Sequence, residues 1–351
     1  MKTIFFLCFP WLLLSADPPK KCGTDEYLQQ RLAEQPSEQK RWREQYRAAN
    51  QGAPSGSQAG RNLMLMNESG LDALGQAFSE GVINIPVVVH VVTPSANHPA
   101  NVNMPQIRSQ IDELNRAYSQ DEYPTSQNFP PYWADAYADD SQIRFCLAAR
   151  DPAGKPTRGV TRTISSVPSF DYPSAEMKYD ASGGKDAWPS TEYLNIWVVV
   201  ITDGIPLGWA TYPMPIYDPG EDGIVIDYRY FGTIGTGVSP PYQLGRTCVH
   251  EVGHWLGLMH TWGMSGPDFA DCQYDDLIND TPEQAMANYG CGPFTTSCDG
   301  ALDMLPNFMN YSDDDCNAFF TKGQVKMMRY TLSEDGFRRK LPFGEKGCSY
   351  P

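Results

Sequence analysis

Three of the five histidines in this 351-residue chain lie in one eleven-residue window, His250 to His260, with the sequence H-E-V-G-H-W-L-G-L-M-H. Residues four apart share a face of an α-helix, so His250 and His254 can present imidazole nitrogens to one metal ion. Gly257 can adopt a positive φ angle and end that helix, so that the chain turns and delivers His260 as a third ligand. Three protein ligands with a fourth position open to water are typical of catalytic zinc.

Glu251 follows the first of these histidines and supplies the carboxylate that hydrolysis at such a metal needs. It can deprotonate a zinc-bound water, which attacks a carbonyl carbon, and can return the proton to the leaving group. A short H-E-x-x-H match also occurs on ordinary solvated helices, but Gly257 and His260 at fixed offsets make this match specific. The sequence therefore predicts a zinc-dependent hydrolytic site. His90, inside an apolar run, is interpreted as a core residue.

The N-terminus is typical of a secretory signal peptide covering residues 1–16, with an apolar stretch that ends in small residues before Asp17. This stretch is too short to span a bilayer, and no later one reaches the roughly 20 apolar residues that a membrane helix needs. We therefore expect an extracellular or cell-surface protein without a membrane span. The net charge of −15 argues against nucleic acid and anionic membranes as partners.

The composition along the chain predicts a detachable segment before the catalytic domain. Residues 17–48 are polar and favour a helix, and residues 48–60 have the composition of a flexible linker, so we assign 17–60 to a pro-segment and 61–351 to the catalytic domain. Strands are predicted at 82–92, 143–149, 193–201 and 223–230, and helices at 104–120 and 242–259. This order predicts an α/β upper subdomain, about 61–260, above an irregular lower subdomain, about 261–345.

Cysteines and acidic residues crowd the irregular region after the zinc motif. Four of the eight cysteines that follow the signal peptide lie there, where cross-links would stabilise the chain most. The acidic side chains, interspersed with turns, suit Ca²⁺, although such clusters also occur simply as solvated surface. The candidate calcium ligands are Asp271, Asp275, Asp276, Asp280 and Thr281.

The histidine window carries the signature of the metzincin metallopeptidases, and its surroundings resemble the pappalysin family within them, especially the short, secreted, ulilysin-like members. The resemblance spans roughly residues 80–335. It implies a metzincin-type α/β (α+β) fold, with a twisted mixed sheet, a backing helix and an active-site helix above a disulfide-stapled lower subdomain. The matching segments are Thr261-Trp262, residues 280–282 (D-T-P), residues 307–311 (N-F-M-N-Y, like the family's Met-turn) and residues 320–324 (F-T-K-G-Q).

This resemblance implies roles for further residues. Met309 would form the floor beneath the zinc ligands. Tyr311 would point its hydroxyl toward the oxyanion of the tetrahedral intermediate, or swing on and off the metal as substrate binds. The segment Gly208-Trp209-Ala210 would be the edge strand that pairs with an extended substrate. Asp315 would close a pocket that selects Arg or Lys after the scissile bond, although three consecutive aspartates are also typical of a solvated turn.

The resemblance also implies the disulfides Cys272–Cys298 and Cys291–Cys316. Three other cysteines of the mature chain then remain, an odd number for which the sequence offers no pairing: Cys146, Cys248 and Cys348.

Cys22, in the segment K-K-C-G-T, resembles the pro-segment cysteine that blocks zinc in related latent enzymes. A thiolate is a good fourth zinc ligand, whereas the alternative is an unpaired or disulfide-bonded cysteine. If the enzyme cuts before basic residues, Gly60-Arg61 is the favoured activation site and Arg47 the competing one.

The sequence thus predicts a secreted zinc endopeptidase that is made as a latent zymogen, is inhibited by its own pro-segment, and cuts peptide and protein substrates before Arg or Lys. One alternative is a metzincin peptidase of broad specificity, in which Asp315 does not line the pocket. The other is a catalytically inert, zinc-containing binding protein. The presence of Glu251, Tyr311 and Cys22 argues against an inert protein, because a binding protein has no need of a latency switch.

Overall fold

A computed structural model describes residues 21–40, 81–120, 131–264, 270, 272–298, 300–333, 336–341 and 347–348. The predicted signal peptide, both predicted activation sites and Asp271 lie outside the described residues. The strands are β1 (Ile83–Thr93), β2 (Ile143–Leu147), β3 (Val160–Ile164), β4 (Leu194–Val199), β5 (Gly208–Ala210) and β6 (Ile224–Asp227). The α-helices wholly within these residues are α1 (Thr24–Glu34), α2 (Met104–Ser119), α3 (Arg246–Trp255) and α4 (Lys322–Leu332).

Strand β1 is second from one edge of a six-stranded mixed sheet. It pairs in parallel with β2 along its first half and with β3 along its second half, and with β4 on the opposite side. Strand β6 continues the sheet in parallel, and β5 closes it as an antiparallel edge strand. The residues of β4 and β6 are all buried, as expected of strands covered on both faces. The predicted twisted mixed sheet of the metzincin type is confirmed.

Helix α2 backs the sheet and fixes the start of the zinc-binding helix. Its buried face contains Ile107, Ile111, Leu114 and Tyr118, which belong to the main core. The Tyr118 hydroxyl donates a hydrogen bond to the Val249 carbonyl oxygen at 3.3 Å. Helix α2 thereby holds α3 against the sheet from behind.

Helix α3 is shorter at each end than the predicted helix 242–259. It begins after Gly245, whose φ of 71° interrupts the helix on the N-terminal side. At the other end Gly257 has a φ of 98°, and the amides of Gly257 and Leu258 donate to the carbonyl oxygens of His254 and Gly253. These paired bonds form a Schellman motif, which ends the helix as the sequence predicted for Gly257.

Two elements were not predicted from the sequence. Strand β3, V-T-R-T-I, is mostly half-buried and lacks the apolar run of the other strands. Helix α4 has a recognisable start, because Thr321 and Gln324 form a capping box with both reciprocal hydrogen bonds. That signal is present in the sequence and could have located α4.

Between α3 and α4 the described residues contain no helix or strand, and disulfides cross-link this irregular region. The structure joins Cys272 to Cys298 and Cys291 to Cys316, the pairs implied by the resemblance. A third disulfide, Cys146–Cys348, ties the last cysteine to β2. The described free cysteines, Cys22 and Cys248, are both buried. No helix among the described residues is long and apolar enough to cross a membrane.

Candidate active site

The three histidines of the window converge on one point. The Nε2 atoms of His250 and His254 lie 3.0 Å apart, and those atoms lie 3.2 Å and 3.1 Å, respectively, from Nε2 of His260. Tetrahedral zinc with Zn–N bonds near 2.0–2.1 Å separates its nitrogen ligands by about 3.3 Å. The spacing of the three nitrogens therefore fits one zinc ion.

The other ring nitrogens fix the tautomer of each imidazole. Nδ1 of His250 and of His254 donates at 2.7 Å to the carbonyl oxygens of Phe308 and Leu258. Nδ1 of His260 faces the Asp25 carboxylate, also at 2.7 Å. Burial lowers the pKa of His254 to about 3 and that of His250 well below its ordinary value, so these rings are neutral. The Nε2 lone pairs of these two rings are thus free to bind a cation.

Glu251 lies beside this group, completely buried in the precursor. One carboxylate oxygen accepts a hydrogen bond from the Thr24 hydroxyl at 2.8 Å, and Oε1 is buried without a hydrogen-bond partner among the described residues. Burial raises the pKa of Glu251 to about 8, the range suited to a group that must both take and return a proton. The structure therefore places a buried carboxylate next to the metal ligands.

Met309 lies beneath helix α3, as the resemblance implied. A Cβ atom on Gly253 would come within 2.5 Å of the Met309 sulfur, so only glycine permits this approach. Trp262 stacks on the His260 ring, with 4.4 Å between ring centroids and 6° between planes. The buried Tyr311 ring packs edge-on against both rings. This aromatic stack holds the third histidine in place.

Cys22 completes the metal-binding group. Among the described residues, the one cluster of three or more His, Cys, Asp or Glu side chains close enough for a metal ion consists of Cys22, His250, His254 and His260, whose ligand atoms lie within 4.8 Å of one another. Gly23 allows this approach, because a Cβ there would meet the Tyr172 ring at 2.5 Å. The cysteine-glycine pair can therefore enter a site too narrow for a larger residue.

The segment around Cys22 follows the edge strand β5. The Gly23 amide donates to the Gly208 carbonyl oxygen at 3.0 Å, and the Ala210 amide donates to the Thr24 hydroxyl at 2.8 Å. The bridge between Cys22 and Gly208 is parallel. Trp209 points into the apolar cluster beneath helix α1. In the precursor, the chain's own N-terminal segment thus occupies the edge expected to pair with substrate.

Lys21 occupies a buried pocket next to Cys22. Its ammonium group donates to the Ser312 carbonyl oxygen at 2.9 Å and lies 5.3 Å from the centroid of the Tyr242 ring. Burial lowers the pKa of Lys21, and the negative charge of Asp314 is the strongest influence opposing this effect. Asp314 is itself only 1% exposed.

The sequence assigned the acidic end of this pocket to Asp315, and the structure differs by one residue. Asp315 is exposed and accepts a hydrogen bond from the Gln243 amide at 3.4 Å. Asp314 instead turns inward and accepts from the Leu244 amide at 2.8 Å. The direction of each aspartate depends on the turn that Asp313 to Asn317 forms, which the residue types alone did not specify.

The described calcium candidates do not gather into one metal cluster. Asp276 is buried and accepts hydrogen bonds from the Thr281 hydroxyl and the Ile278 amide. Burial and the neighbouring carboxyl group of Asp275 raise the pKa of Asp276. Asp280 points elsewhere and accepts from the Gly323 amide in the first turn of α4. The structure therefore gives these residues local structural contacts and shows no calcium cage.

Comparison with known proteins agrees with this geometry. Residues 178–333 match the model of the M43 peptidase family, described as pregnancy-associated plasma protein-A. A promirolysin point mutant from Tannerella forsythia is 32% identical, with a TM-score of 0.76 over 95% of this chain and 100% of that one. Mature mirolysin from the same organism, solved with a cleaved peptide, is 38% identical, with a TM-score of 0.69 over 75% and 97% of the two chains.

Curated relatives lead to the same family. An extracellular metalloprotease of Neurospora crassa is 30% identical over 271 residues, which cover 74% of this chain and 79% of the relative. An extracellular metalloprotease of Pyricularia oryzae is 30% identical over 259 residues, which cover 72% of this chain and 76% of the relative. The site fits zinc, the sheet is of the metzincin type, and these relatives cover more than two thirds of the chain. The chain therefore belongs to the pappalysin (M43) family and is a zinc metalloendopeptidase.

Proposed function

We propose that this enzyme is secreted as a latent zymogen and cuts peptide bonds before Arg or Lys. The observation that carries the proposal is the path of residues 21–24, which place a cysteine at the metal ligands and a lysine in the adjacent acidic pocket. The relatives named extracellular metalloproteases and the predicted signal peptide support secretion. Mapping the cuts that the processed enzyme makes in a denatured protein mixture tests the activity and its preference together.

In the proposed mechanism, Glu251 takes a proton from the attacking water and returns it to the leaving amine. Bound zinc supplies the Lewis acid that polarises the scissile carbonyl and makes the water more acidic. Tyr311 donates to the Cys22 carbonyl oxygen at 3.1 Å in the precursor, which supports a role as hydrogen-bond donor to a peptide oxygen in the cleft. The same hydroxyl would bond more strongly to a developing oxyanion, because charge-assisted hydrogen bonds are the stronger ones.

Strand β5 aligns the substrate in this proposal. The Gly208 carbonyl oxygen already accepts from the Gly23 amide, and the Ala210 amide donates to the Thr24 hydroxyl, so a peptide could use the same two backbone groups of β5. Such pairing recognises the backbone of any extended chain and gives no side-chain preference. Preference must therefore come from pockets that flank the zinc ligands.

The Lys21 pocket is proposed to select the residue after the scissile bond, with Asp314 in the role first given to Asp315. Oδ1 of Asp314 is buried and has no hydrogen-bond partner among the described residues, so it can receive a cationic side chain. A partly desolvated carboxylate binds a cation more tightly than an exposed one. The competing metzincin of broad specificity would lack such a dependence on Asp314.

We expect Asp314→Asn to reduce the preference for Arg or Lys over Leu after the scissile bond by roughly 30- to 100-fold, because a buried charge-assisted contact is lost. The asparagine oxygen can still accept the Leu244 amide, so the turn is preserved. The measurement is kcat/KM for paired peptides that differ at this one residue. Asp315→Asn removes the same charge from the exposed neighbour and should leave the preference intact; the reverse result would restore the assignment to Asp315.

Activation is proposed to remove residues 17–60 by cleavage at Gly60-Arg61, with Arg47 as the competing site, and so to leave residues 61–351 as the mature enzyme. N-terminal mass spectrometry of the processed enzyme distinguishes the two sites. An N-terminus at neither residue would show that the precursor is activated by a different specificity.

Structural calcium is a separate proposal, which rests on the acidic sequence and on the adjacent carboxyl groups of Asp275 and buried Asp276. We expect calcium at about a hundredfold excess over its Kd to raise Tm by roughly 5 °C, because ligand binding to the folded state alone stabilises it. Thermal unfolding with calcium and with a chelator is the measurement. Asp276→Asn should abolish the difference, and a Tm unaffected by calcium in the native chain would remove the calcium site.

A further inference from the structure

Helix α1 covers an aromatic groove. This groove and the Lys21 pocket lie on opposite sides of Cys22. Tyr27 of α1 is fully buried there, and its ring stacks on Tyr217 with 5.9 Å between centroids and 9° between planes. The same ring lies 6.3 Å from that of Trp209, on the edge strand. Since Lys21 occupies the proposed pocket for the residue after the scissile bond, this groove lies on the side that receives residues before that bond.

A carboxylate lies at the end of this groove. Glu221 is 6% exposed in the precursor and accepts a hydrogen bond from the Tyr27 hydroxyl at 2.8 Å. The Arg31 guanidinium pairs with its other oxygen at 2.5 Å while lying 5.3 Å from the centroid of the Tyr27 ring. The Glu221 carboxylate thus already holds a guanidinium, which packs against the Tyr27 ring of α1 itself.

Removal of α1 changes the environment of this carboxylate. Among the described residues, Arg31 is the one ion-pair partner of Glu221, and it belongs to the proposed pro-segment. The nearby Lys178 ammonium donates to the Glu221 backbone oxygen at 2.6 Å, so it does not occupy the carboxylate. Among the described residues of the proposed catalytic domain, the Tyr179 hydroxyl still donates a hydrogen bond to the Glu221 carboxylate, at 3.3 Å. Removal of α1 would therefore leave the Glu221 carboxylate without its ion-pair partner, beside aromatic rings that α1 had covered and with the Lys178 ammonium as a nearby cation.

We infer that Glu221 is a specificity-determining residue that binds an arginine of the substrate upstream of the scissile bond. Arginine suits this groove better than lysine, because its planar guanidinium can pair with the carboxylate and stack on Tyr217 or Trp209 together. In the precursor, Arg31 pairs with the Glu221 carboxylate while Lys178 is bound to the Glu221 backbone oxygen. The presence of Lys178 therefore does not exclude a guanidinium from the carboxylate. The favoured substrates carry cationic side chains on both sides of the cut, which accords with the net charge of −15.

This inference rests on the proposed function, since it requires that α1 leave the processed enzyme. The test uses enzyme processed from the full-length precursor and peptides with a fixed Lys after the scissile bond. Arginine, lysine or alanine is placed at each of the four preceding positions, and kcat/KM is measured. We expect arginine at one position to raise kcat/KM about tenfold over alanine, mostly through KM, with a smaller effect of lysine.

Two variants locate the origin of the preference. Glu221→Gln should bring the arginine-to-alanine ratio close to one, and Glu221→Lys should reverse it in favour of an acidic residue. Asp218→Asn, which removes a charge from an exposed residue of the same loop, should keep the ratio. Equal rates with arginine and alanine at all four positions, or a preference that survives Glu221→Gln, would overturn the inference. Continued cleavage before Lys in that case would leave the proposed function standing.

Discussion

Replacing Glu251 with alanine is expected to lower kcat for peptide cleavage by a factor of at least about 10³ while zinc content stays unchanged. Positioned general acid–base groups contribute roughly 10²- to 10⁴-fold, and here one carboxylate serves both proton transfers. The three imidazoles are held by the Phe308 and Leu258 carbonyl oxygens and by the stack on Trp262, contacts that do not involve Glu251. Metal binding should therefore survive the substitution.

The measurement combines turnover of a peptide with a Lys after the scissile bond and zinc content by elemental analysis. Glu176→Ala, at an exposed glutamate, is the matched control and should keep both values. Substantial cleavage by Glu251→Ala would show that a different group takes the proton. Full zinc content without cleavage in the unsubstituted, processed enzyme would instead favour the inert binding protein.

The second large effect is expected at Cys22. In a precursor kept intact by replacing Arg47 and Arg61, Cys22→Ala should raise peptide turnover on the order of a hundredfold, because a thiolate no longer competes for the metal. Neighbouring contacts still hold the pro-segment in the cleft, including the Thr24 bond to Glu251 and the Lys21 bond to Ser312. The precursor should consequently remain less active than the processed enzyme.

Turnover is measured on a short peptide while gel electrophoresis verifies that the precursor stays whole. Cys248→Ala, at the other buried free cysteine of the described residues, is the matched control and should preserve latency. If Cys22→Ala stays as inactive as its parent, then latency comes from the covering of the cleft by α1 and Lys21. A further substitution at Lys21 would then be the one that restores activity.

The elements around the zinc site could be predicted because their signals are local. The spacing of His250 and His254 follows from the helical repeat, and the turn at Gly257 follows from the freedom of glycine at positive φ. Strand β1 and the buried face of α2 likewise follow from apolar periodicity. Errors in the elements were confined to their ends, to β3, which has a weak apolar pattern, and to α4, whose capping signal was overlooked.

The inward-facing aspartate of the acidic pocket could not be predicted from the sequence. Residues 313–315 are three aspartates in succession, and adjacent residues of a turn point in different directions. Only the packing around Leu244 and Lys21 shows that Asp314 faces inward and Asp315 faces solvent. A resemblance in sequence pointed to this acidic run but could not tell which of its side chains faces inward.

By itself, the sequence determined the histidine cluster that fits zinc and the class of fold, because each depends on residue types at short spacings or on periodicity within one element. The tertiary structure decided what those residues meet across the chain. It placed Asp25 against His260, Arg31 against Glu221 and Cys146 against Cys348. These pairs are separated by about two hundred residues, and no local pattern encodes a contact that exists only when the sheet, α3 and the pro-segment pack together.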